Sequence, residues 1–159
     1  MCRVASHRGG QCLCSLSVAT RHRSTRHPAQ ILASASYDDT IKLYIDDPQE
    51  DWYCFQTLTG HASTVWALAF SPDGRFLASA SDDATIRIWE RVEEHKWECV
   101  DVLESHERSV YSISWGQGKP LASEDAGSMG WLVSTGGDGL VYVWELGVSS
   151  SLHTCTDSG

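Results

Sequence analysis

Short apolar runs separated by polar turns predict β-strands along most of the chain. Four strands are predicted in its middle: Thr64–Phe70, Arg75–Ser81, Thr85–Trp89 and Lys96–Leu103. The first is apolar on both faces, which indicates an inner strand that is covered on both sides. The third alternates apolar and polar residues, as a half-buried strand does. Ser71–Gly74 and Asp82–Ala84 carry the Pro, Asp and Gly residues that favour turns.

The same pattern occurs three times. Leu32–Tyr44, Leu77–Trp89 and Leu132–Trp144 align with one another at offsets of 45 and 55 residues. Self-similarity at this spacing is typical of repeat architectures. Four short antiparallel strands in a unit of about 45 residues indicate one blade of a β-propeller. The third repeat holds ten extra residues within Gly116–Gly130, which we predict to be a longer loop between its first two strands.

The repeats divide the chain into three parts. Residues 31–146 carry the repeats, with predicted boundaries at 31–59, 60–104 and 105–146. Residues 1–30 are rich in Ser, Arg and His and show no sustained apolar period, so they are predicted to be disordered. A mitochondrial presequence and a faulty gene model are the alternatives for that segment. Residues 147–159 are predicted to be a disordered tail.

Charge is distributed unevenly along the chain. The net charge is −9 over 159 residues. Residues 1–30 hold five Arg and no acid, whereas residues 31–159 hold all 21 acids against seven bases, a net charge of −14. An acidic repeat region argues against nucleic-acid binding, which needs a basic surface to neutralise phosphates. No apolar run approaches the roughly 18 residues of a membrane-spanning helix, so we expect neither nucleic acid nor membrane as a partner.

Candidate chemistry is sparse. Six Cys without a dense pattern favour a reducing, intracellular setting. Cys12, Cys14, His22 and His27 suggest a redox or zinc-binding module, but their spacing fits no established zinc pattern. No nucleophile stands beside a base, and the phosphate-binding Gly-rich motifs are absent. We therefore expect no catalytic residue, no metal site, no cofactor and no enzymatic activity.

Two further cysteines lie one per repeat. Cys54 and Cys99 fall at the same place in two predicted outer strands, 45 residues apart. We interpret both as packing residues, since neither belongs to a close cluster with metal-ligand spacing. A redox role or contact with a cluster is the alternative.

Gly60 and His61, followed after 22 residues by Asp83 and after six more by Trp89, resemble the WD40 repeat. The resemblance implies an all-β fold and, in each blade, a hydrogen-bonded set of His, Ser or Thr, Asp and Trp. Carried onto this chain, these structural sets are His61, Ser79, Asp83 and Trp89 in the second repeat, and His106, Ser134, Asp138 and Trp144 in the third. The first repeat holds only Ser34 and Asp38, with Tyr44 in the Trp place.

The resemblance also implies a protein-binding rim near the mouth of the propeller channel. The candidate rim residues are Tyr37, Thr64, Trp66, Asp82, Ser109 and Tyr111. Exposed aromatic side chains at such a rim favour tight binding of a partner. The alternative is that Trp66 and Tyr111 only begin buried strands.

A longer string narrows the resemblance. Tyr37–Asp39, Asp51–Trp52 and Ser63–Trp66 are similar to the WD40 adaptors of cytosolic iron–sulfur protein assembly, over roughly residues 27–146. These adaptors form seven-bladed propellers. The repeats in residues 31–146 correspond to about 2.5 of those blades, so the resemblance implies a β-propeller fragment. It implies a non-catalytic scaffold in the CIA complex, which helps to deliver iron–sulfur clusters to apoproteins.

The same resemblance gives partners and location. The implied partners are other proteins, namely subunits of the iron–sulfur targeting complex and its apoprotein clients. The implied location is the cytoplasm, with the nucleus as a second location. A WD40 subunit of a chromatin or ubiquitin-ligase assembly is the first alternative, and the redox or metal-binding module is the second.

Overall fold

The computed structural model describes residues 13–20, 30–47, 51–116 and 128–147, with side chains for residues 30–46, 52–116 and 130–147. Within these residues the chain forms eleven β-strands, all of them in antiparallel sheets. Not one helix in the described part of the chain is long and apolar enough to cross a membrane. The expected all-β class is confirmed.

The strands form three sheets in chain order. Sheet one consists of β1 (Leu13–Thr20), β2 (Gln30–Ser36), β3 (Ile41–Asp47) and β4 (Asp51–Leu58). Sheet two consists of β5 (Val65–Phe70), β6 (Phe76–Ser81), β7 (Ile86–Glu93) and β8 (Lys96–Leu103). Sheet three consists of β9 (Val110–Gly116), β10 (Ser128–Gly136) and β11 (Val141–Gly147).

The sheets stand beside one another as propeller blades. The first strand of sheet two, β5, contacts β1 on one side and β9 on the other. This position explains why the Thr64–Phe70 run is apolar on both faces. Sheets one and two each have the four strands of a blade, and three strands of sheet three are described. The arrangement is that of a partial propeller.

The strand β1 corrects the expectation of disorder for residues 13–20, one part of the segment 1–30. Its residues Leu13–Thr20 pair antiparallel with β2, for example Val18 with Leu32. Local composition does not reveal this strand, because a strand forms by pairing with a partner, here ten (Thr20 with Gln30) to 23 (Leu13 with Ser36) residues away along the chain. Sheet one is thus a full four-stranded blade, one strand more than the sequence predicted. Residues 1–12, 21–29, 48–50, 117–127 and 148–159, which include most of the predicted tail and of the extra loop, lie outside the described residues.

Apolar side chains fill the two spaces between adjacent sheets. Side chains alternate between the two faces of a strand, so sheet two contributes to both spaces. Leu77 and Trp89 pack toward sheet one, whereas Ala78 and Ile88 pack toward sheet three. The outer strands are joined as well, because the Gln56 amide exchanges hydrogen bonds of 2.8 and 2.9 Å with the Trp97 backbone.

In sheet three, the residues that correspond to two buried isoleucines of sheet two are exposed, because no neighbouring sheet is described on that side. Val141 and Val143 lie 55 residues after Ile86 and Ile88 and at the same places in their strand. The two isoleucines are 0% and 1% exposed, whereas the two valines are 64% and 43% exposed. Burial at these positions is therefore provided by the neighbouring blade and not by the strand's own sheet.

Candidate functional site at the rim of the blades

The predicted His–Ser–Asp–Trp set of sheet two forms a continuous hydrogen-bonded chain. His61 Nδ1 lies 2.9 Å from the Asp83 carboxylate, and His61 Nε2 lies 2.8 Å from Ser79 Oγ. Trp89 Nε1 donates to the same Ser79 oxygen at 2.9 Å. With a neutral His61 that donates from Nδ1, Ser79 donates to Nε2 and accepts from Trp89. Every polar side-chain atom of this buried set then has a partner, so the set is structural.

Asp83 also fixes the turn between β6 and β7. It accepts hydrogen bonds from the Ala62 amide at 2.9 Å and from the Thr85 amide and hydroxyl at 3.0 and 2.7 Å. Burial alone would raise the pKa of Asp83, but these bonds and the one from His61 outweigh it and lower the pKa to about 2. The bonds also hold Ala84 at a φ of 65°, in the left-handed region that a residue with a side chain rarely adopts.

Sheet three repeats this geometry. His106 Nδ1 lies 2.7 Å from Asp138, His106 Nε2 lies 2.8 Å from Ser134 Oγ, and Trp144 Nε1 donates to Ser134 at 3.0 Å. Here the chain has Gly136 where sheet two has a serine. A Cβ atom at Gly136 would lie 2.8 Å from His106 Nδ1, so the close approach of this ring requires glycine.

Sheet one holds a reduced set, as the sequence predicts. Tyr44 stands in the Trp place. Burial raises the pKa of the Tyr44 hydroxyl, and the Ser34 side chain opposes this shift only in part. Asp38 accepts from the Thr40 amide and hydroxyl, so the turn is formed in the same way as in the other two blades.

Two β-bulges direct aromatic side chains to the rim. Val65 and Ala67 pair with consecutive residues of β6, which leaves Trp66 without a partner in the ladder. Tyr111 lies at the corresponding irregularity between β9 and β10. A bulge bends its strand and changes the direction of the extra side chain. By its backbone register, Cys14 occupies the corresponding place in β1.

The three sheets each place one aromatic ring in a row. Tyr37 and Trp66 meet edge to face with ring centroids 5.3 Å apart. Trp66 and Tyr111 meet in the same way at 6.0 Å. Tyr37 is 52% exposed and Tyr111 is 54% exposed. The alternative that Trp66 and Tyr111 only begin buried strands is therefore wrong for Tyr111, and Trp66 is half-buried between two exposed rings.

Asp82 lies beside this row and joins two blades. Its carboxylate accepts hydrogen bonds from Ser109 Oγ at 2.6 Å, from Trp66 Nε1 at 3.3 Å and from Ser63 Oγ at 3.3 Å. The bonds from Ser109 and Trp66 are the main reason why the pKa of Asp82 is lowered. Ser109 precedes β9, so its bond connects sheet three to a turn of sheet two.

The remaining candidate rim residue acts through its backbone. The Thr64 carbonyl accepts a hydrogen bond of 2.9 Å from the Asp82 amide. The Ser109 carbonyl likewise accepts a hydrogen bond of 2.8 Å from the Gly137 amide. The structure thus brings all six predicted rim residues to one end of the blades.

A family model described as "WD domain, G-beta repeat" matches residues 52–90 and 97–145, more than half of the chain. The chain belongs to the WD40 family. Each match begins in the outer strand of one sheet and ends in the third strand of the next. A WD40 sequence repeat therefore spans two adjacent blades and joins them covalently.

Curated WD40 relatives match over short stretches. A "probable cytosolic iron-sulfur protein assembly protein 1" of Chaetomium globosum is 41% identical over 63 residues, which is 37% of this chain and 13% of the relative. A "probable cytosolic iron-sulfur protein assembly protein CIAO1 homolog" of Ixodes scapularis is 56% identical over 41 residues, 26% of this chain and 13% of the relative. The matches thus span about an eighth of these relatives.

Other WD40 proteins match as well. The mouse "F-box-like/WD repeat-containing protein TBL1X" is 46% identical over 46 residues, 29% of this chain and 8% of the relative. Among solved structures, a chain in "Structure of ctPRC2 in complex with H3K27me3 and H3K27M" superposes with a TM-score of 0.65 at 29% identity. That match covers 87% of this chain and 26% of the solved chain.

The structure changes the interpretation of the two repeated cysteines. Cys54 and Cys99 are both free and exposed, which corrects the interpretation that they are packing residues. Their thiols instead lie within 3.5 Å of the carbonyls of Gln56 and Asp101. A β-bulge in β3–β4 and in β7–β8 also shifts the register beside each cysteine.

Candidate metal ligands are few in the described part of the chain. No group of three or more His, Cys, Asp or Glu side chains there could hold a metal ion. Cys12, His22 and His27 lie outside the described residues, and Cys14 is described by its backbone alone. One contact that sequence reasoning missed is the bond from Ser63 to Asp82, for which the sequence carries no signal beyond a polar residue in a loop.

The stability of the protein should fall as the pH is lowered, in two stages. Burial is the main reason why the pKa of His61 lies below its ordinary value of 6.5. As the pH falls, the His61 ring is therefore protonated at a higher pH in the unfolded chain than in the folded protein. Stability is lost as the pH falls through 6.5. The second stage comes from Asp83 and occurs at lower pH. The stability that the ionised Asp83 contributes is complete above pH 3.8 and is lost as the pH falls toward about 2.

Urea unfolding midpoints measured across this pH range would test the assignment. A His61→Gln variant should lose the part of the first stage that His61 contributes and keep the second stage. An unchanged first stage in that variant would show that other groups cause it.

Proposed function

We propose that this chain is a non-catalytic protein-interaction scaffold of cytosolic iron–sulfur protein assembly. The observation that carries the proposal is the name shared by relatives from a fungus and a tick, at 41% and 56% identity. The described geometry agrees with it. His61 and His106 are buried and engaged in structural hydrogen bonds, and the aromatic residues Tyr37, Trp66 and Tyr111 form a row at one rim.

The proposed partners are subunits of the iron–sulfur targeting complex and its apoprotein clients, and the cluster is cargo that passes between them. The proposed location is the cytoplasm, as the relatives' names say of those proteins. A nuclear location has no support in those names and is left out of the proposal.

A second candidate is a WD40 subunit of another multiprotein assembly, of the chromatin or ubiquitin-ligase type. It is favoured by the likeness to TBL1X, which is named an F-box-like protein, and by the superposition on a chain from a polycomb repressive complex 2 structure. The superposition covers more of this chain than the matches to iron–sulfur assembly proteins do, but its identity is lower. Since fold does not determine function, the closer local identity has the greater weight.

Affinity purification would separate the two candidates. We expect the tagged full chain, expressed in cells and recovered with its bound proteins, to enrich iron–sulfur assembly proteins over an empty tag. Enrichment of chromatin proteins instead would support the second candidate and contradict the first.

A further inference from the structure

We propose that the rim binds a basic segment of a partner protein, with an Arg or Lys side chain held against the aromatic row and paired with the Asp82 carboxylate. The aromatic row consists of Tyr37, Trp66 and Tyr111. This proposal names the partner chemistry and rests on the proposed function as an interaction scaffold. It is independent of which assembly the scaffold serves.

The aromatic row offers a surface that favours a cation. Its rings come from three different sheets, and the two outer ones are more than half exposed. The face of an aromatic ring carries partial negative charge and attracts a guanidinium or ammonium group within about 6 Å of its centroid. Tyr and Trp also give large contact areas at low cost in conformational entropy. The row is thus suited to a long side chain with a charged end.

Asp82 supplies the opposite charge next to the row. Its bonds from Ser109 and Trp66 both end on Oδ1, whereas Oδ2 accepts one bond of 3.3 Å, from Ser63. A carboxylate accepts about four hydrogen bonds, so Oδ2 keeps capacity for a donor from a ligand. The contact with Trp66 Nε1 ties the carboxylate to the central ring of the row. A cation that contacts this ring is therefore also close to the carboxylate.

The charge of the surrounding turns points in the same direction. The turns at this end of the blades, residues 37–40, 61–64, 82–85, 106–109 and 137–140, contain six acids and one basic residue other than histidine. The acids are Asp38, Asp39, Asp82, Asp83, Glu107 and Asp138, and the base is Arg108. Asp83 and Asp138 are held by their histidines, but they still contribute negative potential. Lys42 and Arg87 follow two of these turns and act electrostatically on Asp38 and His61. They reduce the excess of acids but do not reverse it, so the rim favours a basic segment over an acidic one.

Other kinds of partner fit this rim less well. A purely apolar segment that covered the row would also remove water from Asp82, and a buried charge without a partner is costly. An acidic segment would place like charges together. A basic segment satisfies both the aromatic surface and the carboxylate, which is why we favour it.

Binding of a fluorescein-labelled tetra-arginine peptide to the full chain, measured by fluorescence anisotropy, tests the proposal. We expect Trp66→Ala to weaken binding by at least about ten-fold, as for a central aromatic residue. Asp82→Asn should weaken it about three- to ten-fold, because it removes a charge and keeps the size of the side chain. Binding should also weaken as salt is raised from about 50 to about 300 mM.

Glu98→Gln provides the matched control. It removes the same charge from an exposed acid that lies near the other end of the strands, in an ion pair with Lys96. Binding to this variant should equal binding to the unchanged chain. Equal weakening by Glu98→Gln and Asp82→Asn would overturn the proposal, because the peptide would then sense only the overall negative charge. Equal binding of a tetra-glutamate peptide would overturn it as well.

Two more variants distinguish a loss of binding from a loss of folding. Tyr111→Ala removes a mostly exposed ring, and Trp66→Phe keeps a ring but removes the donor to Asp82. Both should weaken peptide binding while the urea midpoint stays unchanged, and unchanged binding in both would contradict the proposal. The assay contains no iron–sulfur assembly protein. Peptide binding without capture of such proteins from cells would therefore leave the rim proposal standing and contradict the proposed function.

Discussion

Replacing Ser79 with Ala is expected to lower the free energy of unfolding by about 2–4 kcal/mol, because two buried polar groups lose their partner at once. The Ser79 hydroxyl is fully buried and contacts His61 Nε2 at 2.8 Å and Trp89 Nε1 at 2.9 Å. Alanine fills nearly the same volume, so the loss reports the hydrogen bonds more than the packing. Urea-induced unfolding of the full chain, followed by tryptophan fluorescence, would measure it.

Ser34→Ala is the matched control within the same chain. Ser34 occupies the same place in sheet one, but the structural set there has Tyr44 as its partner in place of Trp. Tyr44 is only half-buried, so its hydroxyl can turn to water when the serine is lost. We expect a loss of less than about 1.5 kcal/mol. Equal losses at Ser79 and Ser34 would show that the complete set adds nothing to the reduced one.

Replacing Ile86 with Ala is expected to destabilise the protein by about 2–5 kcal/mol, as large-to-small changes in a core do. Ile86 is fully buried between sheets two and three. Val141 lies at the same place in sheet three and is 64% exposed. We expect Val141→Ala to change stability by no more than about 0.5 kcal/mol, as is usual for surface positions.

The free energies of unfolding of Ile86→Ala and Val141→Ala, measured in urea under the same conditions, would check this prediction. A loss at Val141 as large as the loss at Ile86 would show that the outer face of sheet three is covered in solution. The comparison therefore tests whether burial follows from the neighbouring blade.

The rim depends on the whole array of blades in a way that single repeats do not reveal. Asp82 is fixed by Ser109 from the following sheet, and Trp66 is flanked by rings from the sheets on both sides. Unfolding of one blade would separate these groups. Substitutions that destabilise a structural set should therefore impair binding indirectly, which is why the binding variants need a check of stability.

Much of the fold could be predicted from period-two patterning and from the repeated motif. Lys96–Leu103 is a strand with the predicted bounds, and β5 to β7 begin within one residue of prediction. The strand β1 could not be predicted, because its signal is a pairing with β2 and not a local preference. The exposure of Cys54 and Cys99 was also missed, since the absence of a metal-ligand pattern does not determine on which face of a strand a residue lies.

The sequence by itself determined the blade. His61, Ser79, Asp83 and Trp89 all belong to one sheet, in the loop before β5 and on the β6–β7 hairpin, so chemistry within one repeat is enough to specify their spacing. It also determined which residues would reach the rim, through the family resemblance. Only the tertiary structure decided that three of them form one aromatic row beside Asp82, because these contacts join different sheets. Contacts between blades depend on how strands twist, bulge and pack, and these properties belong to the assembled sheets and to no single repeat.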